Sequence, residues 1–194
     1  MKQRLILASG SPRRRSLLQE CGLEPEVCPA DVDESRLCGE AIADYVQRVA
    51  HSKTREVWSS LDKETQAEAV VLSADTMVVV DHQFCGKPAD FAEACKIWER
   101  LGGRWHEVWT GVVLKSAQQE ICTTVNTRVW MELLGPEEML AYWRSGEPCE
   151  KSGAYALQGR GGRWIRAIDG SFSNVVGLPL VETLELLATL GITP

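Results

Sequence analysis

Val70-Val71-Leu72-Ser73-Ala74-Asp75-Thr76-Met77-Val78-Val79-Val80 decides the fold. Its β-branched residues give the strongest strand signal in the chain, and Asp81-His82-Gln83 closes it as a turn. It reads as a strand through the centre of a sheet. Towards the N-terminus, Leu5-Ile6-Leu7-Ala8 is a short buried strand broken by Ser9-Gly10-Ser11. A helix follows at once: Ser11 is a good N-cap, Pro12 suits the first helical position, Leu17, Leu18 and Cys21 fall at helical spacing, and Gly22 suits C′. After an extended piece at Val27-Cys28 and the acidic Asp31-Val32-Asp33-Glu34, the spacing of Ile42, Val46, Val49 and Ala50 predicts a helix over 39–59. Lys53 lies three to four residues beyond that stripe. Towards the C-terminus, Cys85-Gly86-Lys87-Pro88 reads as loop and 89–101 as a helix ended by Gly102-Gly103. Strands are expected near 106–115 and 121–133, and helices after Gly135-Pro136 through Arg144 and over 179–190. Glycines crowd the last quarter. Without an internal repeat or linker, one α/β domain over 1–194 is the economical reading.

Composition sets the outer limits. The chain has 194 residues, 44% hydrophobic and 25% charged, which suffices for a sizeable core and argues against extended disorder. The 21 Lys and Arg against 27 Asp and Glu give a net charge of −6. That balance argues against a nucleic-acid polymer as partner but leaves small acidic substrates open. Apolar runs such as 77–80 and 139–143 fall far below the roughly 18 residues of a membrane span. The four apolar residues after Met1-Lys2-Gln3-Arg4 are too few for a signal-peptide core of about 7 residues or more. A cytoplasmic chain is expected. Its seven cysteines are an odd number with no C-x-x-C pair, which points to reduced thiols.

Familiar nucleotide and metal motifs are missing. There is no G-x-x-x-x-G-K-[ST], and Trp164 stands where a third glycine would complete G-x-G-x-x-G from Gly159. His51, His82 and His106 show no ligand spacing, so each is expected as a solvated or capped side chain rather than a catalyst.

Asp75 is the informative residue. Strand propensity is against it, and a buried unpaired carboxylate would cost several kcal/mol. A divalent cation, a basic side chain or a strand end open to solvent would each offset that cost. Ser9-Gly10-Ser11-Pro12-Arg13-Arg14 offers backbone N–H groups at a helix start, two hydroxyls and two guanidinium groups, a set that suits a phosphate or equally a well-capped helix. Lys53 and Lys87 add positive charge, and Asp31, Asp33 and Glu34 are candidate oxygen ligands for Mg²⁺.

Leu-Ala-Ser-Gly-Ser-Pro-Arg-Arg (7–14), Val-Asp-Glu (32–34), Ala50-x-x-Lys53, Ser73-Ala74-Asp75-Thr76, Gly86-Lys87-Pro88, Gly153-Ala154-Tyr155-x-x-Gln158-Gly159 and Val176-Gly177-Leu178-Pro179 follow one another in an order that resembles the Maf-type nucleoside triphosphate pyrophosphatases. The resemblance covers nearly the whole chain. It implies an α/β fold, like that of the inosine triphosphatases, with an elongated mixed sheet flanked by helices and two lobes around a central cleft. A homodimer is the usual assembly. It further implies cleavage of a nucleoside triphosphate between its α- and β-phosphates. In that reading Asp75 is the general base and, with Glu34, holds Mg²⁺ or Mn²⁺, while Ser9, Arg14, Lys53 and Lys87 bind the phosphates. Arg13, Thr76 and Gln158 resemble the branch that hydrolyses dTTP and UTP. Modified pyrimidine nucleotides are an alternative substrate set, and a nucleotide-binding regulator of septum formation is the alternative from another class. Thr54 stands where the family commonly has alanine, which bears on helix packing.

Overall fold

The computed structural model describes residues 3–194. Seven strands form one mixed sheet: β1 (Arg4–Leu7), β2 (Glu26–Val27), β3 (Ala69–Val80), β4 (Gln83–Cys85), β5 (Arg104–Lys115), β6 (Glu120–Met131) and β7 (Ile165–Asp169). Their order is β2-β1-β3-β5-β6-β7, with β4 paired to β3. β1 runs parallel to both β2 and β3, whereas β3–β4 and β6–β7 are antiparallel. The described residues also form seven α-helices: α1 (Pro12–Glu20), α2 (Ile42–Ser60), α3 (Lys63–Glu68), α4 (Phe91–Leu101), α5 (Pro136–Arg144), α6 (Phe172–Val176) and α7 (Leu180–Thr189).

Contacts divide the chain into two compact units. The first takes the residues up to Asp75 together with Thr110–Val125 and Gly177–Pro194. Here β1 and β3 pair through Leu5↔Val70, Ile6↔Val71 and Leu7↔Leu72, all buried apolar residues, as expected for parallel strands covered on both faces. Helix α2 turns Tyr45, Val46, Val49, Ala50, Lys53, Thr54 and Val57 inward, so the apolar stripe places Lys53 on the buried face. A Cβ at Gly111 would come within 2.6 Å of the Val46 carbonyl group, so glycine is what lets α2 approach the β5 backbone there.

The second unit takes Thr76–Trp109 and Asn126–Val176. Its core gathers Trp98, Leu101, Val129, Met131, Tyr142 and Trp164, with the Tyr142 ring 5.4 Å from Trp98 and 4.9 Å from Trp164 between ring centroids. Asp81 and His82, with φ of 49° and 59°, make the two-residue turn from β3 to β4 that a right-twisted hairpin favours.

The differences from the sequence expectation are local. α2 begins at Ile42 rather than at 39, because Gly39 takes a φ of 72° and Glu40 N donates to the Leu37 carbonyl in a preceding turn. Cys85 belongs to β4 rather than to a loop. α3, α6, β4 and β7 are no longer than six residues, too short for periodicity to reveal. Ser11 stands at the N-cap of α1 without a side-chain capping bond; instead its N–H donates to Ser9 Oγ at 3.3 Å.

Candidate active site

Six of the predicted site residues fall in the first unit and three in the second. In the first unit Lys53 joins two of the others. Its ammonium lies 2.7 Å from Asp75 Oδ1 and 2.6 Å from Glu34 Oε1. The Asp75 side chain is only 9% exposed and that of Lys53 10%, whereas Glu34 is 51% exposed. Of the three ways to offset the burial of Asp75, the structure therefore shows the basic side chain. Two of the three ammonium N–H groups are engaged, which leaves one for a further oxygen. Asp75 Oδ2 has no hydrogen-bond partner among the described residues.

Local structure explains how these three groups meet. Asp75 comes from β3 and Lys53 from the inward face of α2. Glu34 lies on the preceding loop, where the Tyr45 hydroxyl on α2 donates to the Glu34 carbonyl at 2.8 Å. Burial, reinforced by the Asp75 and Glu34 charges, pushes the Tyr45 phenol well above its ordinary range and keeps it a donor. One turn along α2, Ser73 Oγ donates to the Ala50 carbonyl at 2.7 Å and is therefore the acceptor for Thr54 Oγ1 at 2.6 Å. That contact accounts for a fully buried threonine at 54.

The β1–α1 turn supplies the other polar groups of this unit. Arg14 is buried; its Nε donates to the Gly177 carbonyl at 2.8 Å and its Nη1 to Ser9 Oγ at 3.0 Å. Burial lowers the Arg14 pKa, against the pull of the Asp75 charge, and the neighbouring Arg13 lowers it further. Ser9 Oγ accepts from Arg14 and from Ser11 N, which leaves its own O–H to donate outward. Arg13 is half-buried on α1. The acidic run splits: Asp33 Oδ1 accepts from Ser35 N at 2.8 Å and Asp31 N donates to Glu56, so only Glu34 of the three joins Lys53.

In the second unit Thr76 is half-buried, and Lys87 is exposed and pairs with Glu150 at 3.5 Å. Gln158 is exposed and carries no side-chain hydrogen bond among the described residues. A cavity of about 610 Å³ lies against Glu137, Glu138, Tyr142, Arg160, Arg163 and Trp164, none of them a predicted site residue.

The histidines divide. His51 pairs with Glu120 at 2.8 Å and His82 is exposed, as expected of capped or solvated side chains. His106 corrects that expectation: it is 2% exposed, bonded through Nε2 to the Tyr155 hydroxyl at 2.8 Å, with Nδ1 unpaired. Burial pushes its pKa down to about 4, so it is neutral. All seven cysteines are free thiols, and burial raises Cys85 and Cys95.

Hard oxygen donors suit a divalent cation. Asp75 and Glu34 already converge on one positive charge, and a Mg²⁺ site commonly takes one or two carboxylates with substrate phosphates completing it. The donor set fits Mg²⁺ or Mn²⁺. Among the described residues no cluster of three or more acidic, histidine or cysteine side chains forms a complete cage.

A buried carboxylate held by a lysine, next to a turn rich in hydroxyl and guanidinium donors, is a set of groups suited to a phosphorylated substrate. The chain is a member of the family of Maf-like proteins, whose profile spans residues 4–190. A protein of Hahella chejuensis named dTTP/UTP pyrophosphatase is 46% identical over 191 residues, covering 98% of this chain and 94% of that protein. One of Methylococcus capsulatus with the same name is 48% identical over 97% of this chain and 92% of its own length. The solved structure of the Staphylococcus aureus Ham1 protein aligns over 84% of this chain and 80% of that chain, with a TM-score of 0.49 at 14% identity.

Proposed function

We propose that the protein hydrolyses dTTP and UTP to the monophosphate and pyrophosphate. The observation that carries this reading is the Lys53 ammonium joined to Asp75 and Glu34, with Oδ2 of the buried Asp75 left without a hydrogen-bond partner among the described residues. Asp75 accepts a proton from water through Oδ2 as that water attacks the α-phosphorus. The bond from that phosphorus to the α,β-bridging oxygen breaks, and pyrophosphate leaves with the electron pair. The third N–H of Lys53, the Ser9 hydroxyl, Arg14 and Lys87 offset the charge of the triphosphate and the leaving group. Asp75 and Glu34 would hold Mg²⁺ or Mn²⁺, which lowers the pKa of bound water and neutralises phosphate charge. Arg13, Thr76 and Gln158 select the pyrimidine.

The names of the relatives favour this enzyme over a regulator of septum formation. No helix among the described residues is long and apolar enough to cross a membrane, and free thiols together with a nucleoside triphosphate substrate fit the cytoplasm as its compartment. A homodimer is the assembly proposed from the family resemblance. The test is a panel of common and modified triphosphates assayed for pyrophosphate in ¹⁸O-labelled water. The expected result is pyrophosphate in one step, with the label in the monophosphate. Release of orthophosphate and a diphosphate would indicate attack at the γ-phosphorus and overturn the reading.

A further inference from the structure

The backbone on both sides of Gln158 is fastened to a single anchor. Two residues before it, Ala156 N donates to Tyr142 Oη at 3.1 Å. Two and three residues after it, Arg160 N donates to Glu147 Oε2 at 2.9 Å and Gly161 N to Glu147 Oε1 at 3.0 Å. The two attachment points are joined, because the Tyr142 hydroxyl donates to Glu147 Oε1 at 2.6 Å. Burial by itself raises the Glu147 carboxyl, but these three donors hold it below the ordinary carboxylate range, so it is an acceptor throughout. The glycines around Gln158 fit the same device. A Cβ at Gly159 would collide with the Glu147 carboxylate and one at Gly161 with the Tyr142 hydroxyl. Tyr142 is itself immobilised between Trp98 and Trp164.

We propose that Glu147 and Tyr142 are positioning residues for base choice: they fix segment 156–161 so that Gln158 reaches the pyrimidine from one backbone position. The proposal rests on the reading that Gln158 recognises the base. A side-chain amide carries both donor and acceptor, so on a mobile segment it could turn to meet uracil or cytosine equally well. The amide still turns about its own side-chain bonds, so the anchor acts by fixing the place from which Gln158 reaches the base: a segment that cannot shift to follow the other edge leaves the mismatched base with unpaired polar groups. The Glu147–Tyr142 pair is the only group among the described residues that grips segment 156–161 on both sides of Gln158 through hydrogen bonds.

The test compares kcat and KM on UTP and CTP for the full chain carrying Glu147→Ala, Glu147→Gln, Tyr142→Phe, Gln158→Glu or, as a control, the exposed Glu137→Gln. Glu147→Ala is expected to lower the UTP-to-CTP ratio of kcat/KM by at least about tenfold, the scale of one misplaced polar contact. The loss should appear mainly in KM for UTP, with faster hydrogen exchange at the Arg160 and Gly161 amides. Glu147→Gln, which keeps one acceptor, should recover part of the ratio, and Glu137→Gln should leave it unchanged. Tyr142→Phe removes only a hydroxyl and decides the matter if Glu147→Ala does not fold. A ratio that falls with Gln158→Glu but stays level in the folded Glu147 and Tyr142 variants overturns the anchor. A ratio level in Gln158→Glu itself overturns the base reading beneath it.

Discussion

Replacing Lys53 by methionine tests the centre of the site most directly. The substitution keeps the length of the chain but withdraws the one cation that faces Asp75 Oδ1 at 2.7 Å. Both side chains of that pair are about nine-tenths covered, so solvent screens little of the interaction, and removing one member leaves an uncompensated charge. Breaking such a pair costs about 3–5 kcal/mol. The second contact, to the half-exposed Glu34, adds less than about 1 kcal/mol because water already screens it. At about 2–4 °C per kcal/mol for a chain of this length, Lys53→Met should melt about 6–20 °C below the parent. Asp75→Asn added to Lys53→Met removes the stranded charge and should recover at least half of the loss. Asp75→Asn alone should fold while losing about 10² to 10⁴ in turnover, since the amide keeps the volume but not the basicity. Urea unfolding followed by the fluorescence of the seven tryptophans measures the first effect, and pyrophosphate release the second. A Lys53→Met protein within about 1 kcal/mol of the parent, or a double variant no better than the single one, would refute the pairing energetics. Near-parental turnover in Asp75→Asn with Mg²⁺ present would assign Asp75 to structure alone.

The remaining predictions concern other parts of the chain. kcat/KM for UTP and dTTP should exceed that for CTP and the purine triphosphates, and Gln158→Glu should erode this preference more than it slows the best substrate; equal rates on all triphosphates would contradict it. Ser73→Ala should destabilise by about 1–3 kcal/mol by stranding the buried Thr54 hydroxyl, and Thr54→Ala by about 1 kcal/mol, so chemical denaturation should rank serine above threonine. His106 has a folded pKa of about 4 against 6.5 in the unfolded chain. The unfolded state therefore binds the extra proton between those values, and stability should fall as pH drops from 6.5 towards 4, by about 3 kcal/mol in all. His106→Gln should flatten that part of the stability curve in urea titrations at several pH values. Mild alkylation with a small thiol reagent should spare activity even though Cys38 and Cys122 are exposed, and rapid inactivation prevented by substrate would show a thiol in the site.

The part of the site that could be read in the sequence is the part governed by repeating geometry. The β-branched run announced β3 and placed Asp75 inside it; the stripe at 42, 46, 49 and 50 set the phase of α2 and put Lys53 on the same face. Whether a cation, a basic side chain or an open strand end met Asp75 could not be read, because the partner comes from an element 22 residues away and strand periodicity carries no information about it. The acidic run shows the same limit: Asp33 turned to a local amide, whereas Glu34 reached Lys53, a choice made by the Tyr45 bond to the Glu34 carbonyl.

Glu147 was missed for a different reason. Its partners are two backbone N–H groups and one phenol, and backbone donors have no residue type that a sequence could display. What the sequence did display was the consequence. Gly159 and Gly161 keep their hydrogens where a Cβ would strike the carboxylate and the phenol, so the glycine spacing that failed as a dinucleotide motif is the imprint of the anchor on the chain. A glycine-rich segment beside a candidate recognition residue is therefore better searched for the side chain that needs the room than for a phosphate. Here that search leads from Gln158 to a carboxylate eleven residues upstream, within the same compact unit.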